Sequence, residues 1–269
     1  MTIVLNEIQL LNGFNHSFII AAADQRITFT NNKTKWHHKK LHKIPYLNGA
    51  ISYFGLAQYR DSRSKNDKDF TFTHWLPNYI NSNSKYQSLK DFSFALQDEL
   101  NNLVPKKFTS KYPSGFHICG YNDQGFPDFW VVKNFTKYEN GQYIDIGQNY
   151  QAPESHFLSW SVRENFGENW LQSIKNHRFG MVYRNGTIEP HQSISDLFDF
   201  LFAYIANNNL SDFMDINHDI VKYTEFVKSK LDFMIFIHNK WTKRKVIGGK
   251  IDILLIEKKP NSLPRYINL

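Results

Sequence analysis

Apolar positions dominate residues 2 to 11, "TIVLNEIQLL", and the stretch reads as a strand. "NGFNHS" supplies a turn led by Asn-Gly, and residues 18 to 30, "FIIAAADQRITFT", return as the second strand of a hairpin. That strand is apolar through Ala23, then places Asp24 and Arg26 one residue apart and continues with strand-forming residues. A second hairpin is predicted from "KIPYL" and "AISYFGLA", joined at Asn48-Gly49. Residues 58 to 85 read as polar, with "RDSRSKNDKD" as an exposed excursion. "SLKDFSFALQDELNNLV" predicts a helix: Ser88 caps it, Leu89, Phe92, Leu96, Leu100 and Leu103 share one face, and Pro105 closes it.

Further along, "GFHICGYN", the turn "DQG" and "FPDFWVV" make another hairpin, and "GQYIDIG" reads as a strand. A helical region follows. "GENWLQSIKNH" and "SISDLFDFLFAYIA" are candidates, the second apolar nearly all round, as in a helix sandwiched between layers. Residues 217 to 238 predict a third helix, with Ile220, Val227, Leu231, Met234 and Ile235 at helical spacing. The chain closes on "VIGGKIDILLIEKK", a glycine turn and a strand. Antiparallel strands at both ends with helices inserted as blocks imply an α+β layered fold. No short-period repeat or linker divides residues 1–269, so one domain is expected.

Composition adds little to this picture: 41% hydrophobic and 16% aromatic residues describe an ordinary globular chain. Runs such as "FIIAAA" and "FMIFI" are too short to span a bilayer, and no secretory signal pattern opens the chain, so a cytoplasmic protein without membrane attachment is expected. The single cysteine, Cys119, rules out an internal disulfide and reads as a small buried core residue. A net charge of +7 raises nucleic acid as a partner, and "KTKWHHKKLHK" is the densest basic patch. No nucleic-acid motif accompanies it, and none is expected to bind. His38 and His42 stand four apart within it, a helical metal-ligand spacing with no third ligand in a segment that reads as a loop entering a strand.

Thr2 is the first candidate for chemistry. Loss of Met1 is favoured before a small residue and would leave a threonine with both a hydroxyl and a free α-amine. An α-amine with a pKa of about 7.7–8.0 can take the proton from that hydroxyl, so nucleophile and base share one residue. The following residues carry a resemblance. "AADQR", a lysine opening the strand of "KIPYLNGAISYFGLA", "GYNDQGFPDFW" and "IGGKIDILLI" together resemble the proteasome β-subunit family of N-terminal-nucleophile hydrolases, in particular a divergent bacterial member. In that family a threonine begins the first strand and Asp-x-Arg ends the second. A lysine starts the third, and Gly-x-Gly or Gly-x-Ala ends the fourth.

The resemblance implies a four-layer αββα sandwich of two antiparallel sheets flanked by helices, and a threonine peptidase acting on peptide or unfolded protein from within a homo-oligomeric ring. It implies Thr2 as nucleophile, Lys43 beside it as a positive charge, Asp24 holding Lys43, Arg26 as a brace and the Ala57 backbone N–H as oxyanion donor. Lys39 and Lys40 are rivals of Lys43, which is favoured by its spacing to Gly55. No metal or organic cofactor is implied, and a partner ATPase is left open. The family's Ser-Gly-Ser-like loop and later Asp-x-x-Ser are not placed; Ser155 and Ser159 are the candidates for the first. No extension or propeptide beyond Met1 is expected. The alternatives are a non-catalytic assembly or shell protein on the same sandwich and an amidohydrolase acting on a small amide.

Overall fold

The first strand, β1 (Ile3–Asn12), sends Val4, Ile8 and Leu10 into one apolar layer and Ile3 and Leu5 into another. Its hairpin partner, β2 (His16–Asp24), does the same: Ile19, Ala21 and Ala23 join the first layer, Phe18, Ile20 and Ala22 the second. A strand covered on both faces has no use for alternating polar residues, which accounts for the unbroken "FIIAAA". The computed structural model describes residues 2–12, 16–28, 35–60, 70–139, 142–155, 179–186, 192–208, 219–243, 245–258 and 262–267.

Continuing in chain order are β3 (Arg26–Thr28), β4 (Lys35–His37), β5 (Leu41–Ile44), a 3-10 turn at Pro45–Leu47, β6 (Gly49–Gly55), β7 (Gln58–Tyr59) and β8 (Phe70–Thr71). Helices α1 (Phe72–Ser82), α2 (Leu89–Leu103) and the short α3 (Lys106–Thr109) lead into β9 (Ser114–Tyr121) and β10 (Pro127–Lys133). The strands β11 (Lys137–Glu139), β12 (Gln142–Ile144), β13 (Glu154–Ser155) and β14 (Phe179–Gly186) come next. Helices α4 (Gln192–Asn207) and α5 (Ile220–Trp241) precede β15 (Ile251–Glu257) and β16 (Arg265–Tyr266).

Two five-stranded antiparallel sheets form the centre, ordered β14-β1-β2-β15-β16 and β13-β10-β9-β6-β5. Between them lie Val4, Ile8, Ile19, Ala50, Phe54, Phe129 and Leu254. On the outside of the second sheet, Ile51, Tyr53, Phe116 and Ile118 pack with Phe72 and Leu76 of α1 and Phe92 and Leu96 of α2. Outside the first sheet, Leu5, Ile20, Ile253 and Leu255 pack with Val227, Leu231 and Met234 of α5. The fold is α+β, a four-layer αββα sandwich.

The first and third hairpins and the capped helix stand where the sequence pattern puts them; the Ser88 hydroxyl accepts the Asp91 amide at 3.0 Å. Four expectations need correction. The strand expected over 18–30 breaks at Gln25, because the Gln25 and Arg26 amides turn to the Lys250 and Gly248 carbonyls, and β3 then pairs with β4. The polar reading of 58–85 missed α1, whose Phe72, Leu76, Tyr79 and Ile80 are buried at helical spacing although Pro77 lies inside it. The helical region expected after residue 160 contains β14, an edge strand paired with β1 along its whole length. The apolar helix α4 is not sandwiched: Leu197 is 62% and Phe200 68% exposed. The helix expected in "GENWLQSIKNH" lies outside the described residues. Among the described residues, no helix is long and apolar enough to cross a membrane.

The layer assignment gives a direct contrast on α2. Leu96→Ala, at a fully buried position, is expected to cost about 2–5 kcal/mol in urea unfolding, and Lys90→Ala, on the exposed face, within about 0.5 kcal/mol of zero.

Candidate active site

The β1–β2 register sets Val4 opposite Ala23, so the next step outward brings Ile3 level with Asp24 at the end of a central strand. On the other flank, Ile251 of β15 also pairs with Asp24. Asp24 is 1% exposed, and its two oxygens are used differently. Oδ1 accepts the Ile3 amide at 3.0 Å and the Thr2 hydroxyl. Oδ2 accepts the Gly248 amide at 2.9 Å, from the loop that leads into β15.

Lys40 completes the cluster from the second sheet. It stands just ahead of β5, its carbonyl accepting the Tyr53 amide at 3.2 Å, and its side chain is buried. Nζ lies 3.0 Å from Asp24 Oδ1 and donates to Thr2 Oγ1 and to the Arg26 carbonyl. The three donors of an ammonium therefore meet three acceptors, as a buried cation requires. Burial pushes the Lys40 pKa below the usual lysine range, and Asp24, the strongest opposing influence, does not restore it. Thr2 Oγ1 thus sits between a carboxylate and an amine whose hold on its proton is weakened.

Arg26 does not touch the carboxylate of Asp24 but fixes the loop beside it. Its Nη1 donates to the Ile247 carbonyl at 2.6 Å and to Asn239 Oδ1 of α5 at 2.7 Å. Gly248, at φ +143°, leaves the space the guanidinium fills: a Cβ there would come 2.5 Å from the Arg26 guanidinium carbon. Gly186 plays a similar part on the other side. It pairs with Ile3 at φ +102°, and a Cβ on it would run into the Thr2 carbonyl.

The structure brings Thr2, Asp24 and the backbone of Arg26 together, and it corrects the lysine. Lys43 faces away from the cluster, with Nζ 5.0 Å from the centre of the Tyr266 ring, beside Lys39 at 3.8 Å. Lys43 is favoured in the sequence because its spacing to Gly55 fits the strand-turn-strand length of the resembled family, with the turn at Asn48-Gly49. The 3-10 turn at Pro45–Leu47, ended by Asn48 in the left-handed region, lengthens that hairpin. Lys40, three residues earlier, is the lysine that meets Thr2 and Asp24. Ala57 lies buried past the end of β6, the end at which Lys40 stands, and its carbonyl accepts the Phe72 amide at 3.1 Å. Ser155 is exposed on the edge strand β13, and Ser159 lies outside the described residues.

Other candidates separate from the cluster. Cys119 is buried between the sheets, its thiol bonded to Asn6 Oδ1 at 3.2 Å and pushed up to about 12 by burial, which disqualifies it as a nucleophile at neutral pH. His38 and His42 are not on a helix: His38 Nδ1 lies 3.1 Å from the Thr73 hydroxyl, while His42 Nε2 lies 3.2 Å from the Lys39 carbonyl. Among the described residues, no group of three or more His, Cys, Asp or Glu could hold a metal ion. Asp252, on β15, went unremarked in the sequence as a charged neighbour. Gln25 Nε2 donates to its Oδ1 at 2.9 Å, and burial raises its pKa while Lys39 and Lys40 pull the other way.

No family model matches the chain, and no curated protein matches it. Among solved structures, the chain is similar to "Anbu (ancestral beta-subunit) from Yersinia bercovieri", at 9% identity and a TM-score of 0.48, over 98% of this chain and 86% of that one. The αββα assignment rests on the layers and sheet orders described above.

His42 supplies a pH test close to the site. Burial lowers its pKa from 6.5 to about 4, so the native state keeps the ring neutral while the unfolded chain takes up a proton near 6.5. Its share of stability is complete above pH 6.5 and is lost as pH falls toward 4, amounting to at most about 3 kcal/mol. Urea midpoints at pH 7 and 4.5 are expected to differ less in His42→Phe than in the wild type.

Proposed function

We propose that this chain is a threonine-type peptidase of the proteasome β-subunit-like class of N-terminal-nucleophile hydrolases, acting through Thr2 once Met1 has been removed. One observation carries the reading: the Thr2 hydroxyl lies between Asp24 and a buried Lys40 of lowered pKa, at the start of a central strand. While Met1 is attached, the Thr2 nitrogen is a peptide amide; its removal turns that nitrogen into an amine beside the hydroxyl.

Thr2 Oγ1 then attacks the carbonyl carbon of a peptide bond, and its proton passes to the α-amine, with Lys40 as the relay. The carbonyl π electrons move to oxygen, and the Ala57 N–H is the donor assigned to that oxyanion. Collapse expels the leaving amine, which takes the proton, and leaves an ester on Thr2. Water, deprotonated by the same base, attacks the ester, and the proton returns to the departing Thr2 Oγ1 as the acid is freed. Asp24 holds Lys40 and Thr2 in register throughout. Peptide and unfolded protein are the substrates, and assembly of copies into a ring in the cytoplasm belongs to this reading.

A second reading has its own support. Thr2 is only 2% exposed, so a non-catalytic assembly component would also keep the cluster as a buried structural tie. Intact mass separates the two readings. The peptidase lacks Met1 and cleaves fluorogenic peptides, whereas retained Met1 with no cleavage supports the assembly protein.

The lysine correction yields a sharper test. Thr2→Ala is expected to abolish cleavage, and Lys43→Ala to leave it within about twofold of wild type. Lys40→Arg, whose guanidinium cannot give up its proton, is expected to lose on the order of a hundredfold or more in kcat while remaining folded by circular dichroism. Full activity in Lys40→Arg would show that only positive charge is needed there.

A further inference from the structure

Residues 245–250 join α5 to β15 without regular secondary structure, yet they supply the Gly248 amide to the buried Asp24 carboxylate. Something other than a strand ladder must hold that amide to hydrogen-bonding precision. Burial of Val246 and Ile247 against the α5 layer accounts for part of it. The Gln25 and Arg26 amides bond the Lys250 and Gly248 carbonyls, and two consecutive side chains at the C-terminal end of α5 add to this. His238 Nε2 accepts the Val246 amide at 3.0 Å, deep in the protein. Asn239 Oδ1 accepts Arg26 Nη1 at 2.7 Å, and the same nitrogen grips the Ile247 carbonyl at 2.6 Å. The Arg26 amide then returns to the Gly248 carbonyl at 3.0 Å, closing a ring of contacts around the loop.

We propose that Asn239 and His238 are positioning residues for the active site: the end of α5 sets the loop that aims the Gly248 amide at Asp24 Oδ2. This rests on the peptidase reading only for its kinetic consequence. Asn239 touches neither Thr2 nor Lys40 directly; it acts through Arg26 and the loop. When the loop shifts, Oδ2 loses its donor, and the carboxylate that registers both Thr2 Oγ1 and Lys40 Nζ becomes free to turn. Misplacement of about 1 Å at a reacting centre can cost roughly a hundredfold in rate. The shift acts on the carboxylate that holds the hydroxyl, so it is expected in kcat rather than in KM.

The test uses the full-length chain and two readouts. In Asn239→Ala, hydrogen exchange of peptides covering 245–250 is expected to rise about tenfold or more, with kcat down roughly tenfold to a hundredfold and KM within twofold. Asn239→Asp keeps an acceptor for Arg26 and is expected to restore both. His238→Gln, which keeps an acceptor for the Val246 amide, is expected to exchange more slowly than His238→Ala. Unchanged exchange in Asn239→Ala overturns the proposal whatever the activity. Faster exchange with undiminished kcat in an active enzyme overturns it as well. A wild type without any peptide cleavage refutes the peptidase reading instead, and the exchange measurement still decides whether α5 holds the loop.

Discussion

A lysine and an aspartate that are almost entirely out of water, 3.0 Å apart, set the terms for everything around them. Taking both charges from solvent costs several kcal/mol each, and their attraction offsets this only with good geometry and full hydrogen bonding. The chain meets that demand from five directions: the Ile3 and Gly248 amides, the Thr2 hydroxyl, the Arg26 carbonyl and the pair's own contact. Removing one member of such a pair typically costs about 3–5 kcal/mol, because the other charge is left uncompensated. The burial that makes the pair expensive also lowers the lysine's proton affinity.

Those partners come from several parts of the sandwich, which ties the site to the fold. Thr2 and Asp24 lie at one end of adjacent strands in the first sheet, and Lys40 enters from the second. β15 completes the flank of β2 and brings the glycine loop with it. β14 closes the other flank of β1, and Gly186 lets it approach the Thr2 carbonyl. The cluster therefore forms only when both sheets are paired and stacked. Polar residues in the layer between the sheets follow the same rule: Asn6, on the same face of β1 as Val4, bonds His117 at 2.9 Å, and Asn185 bonds the other nitrogen of that ring at 2.6 Å.

Much of this was legible in the sequence, and the failures have physical causes. The β1–β2 hairpin and a helix with a capping serine are local features, and they appeared where local chemistry puts them. Asp24 and Arg26 stood out because a pair of charges is out of place after an apolar strand. Lys40 was missed for Lys43 because a turn's length depends on its backbone conformation, and Pro45–Leu47 forms a 3-10 turn rather than a tight reversal. Helix α1 was hidden by its polar surroundings and by Pro77, although its buried positions kept helical spacing. The part of Gly248 is a long-range one: its amide meets a carboxylate 224 residues away, and nothing in the glycine pair itself names that partner.

In the proposed peptidase the hydroxyl held by Asp24 and Lys40 is the nucleophile, which covalent capture would detect. The protein would be incubated with a peptide bearing an electrophilic vinyl sulfone, digested, and the modified residue located by mass spectrometry. A single adduct on Thr2 as the first residue of the chain is expected, and none in Lys40→Arg. An unmodified Thr2, or a Thr2 still preceded by Met1 after prolonged incubation, would contradict it.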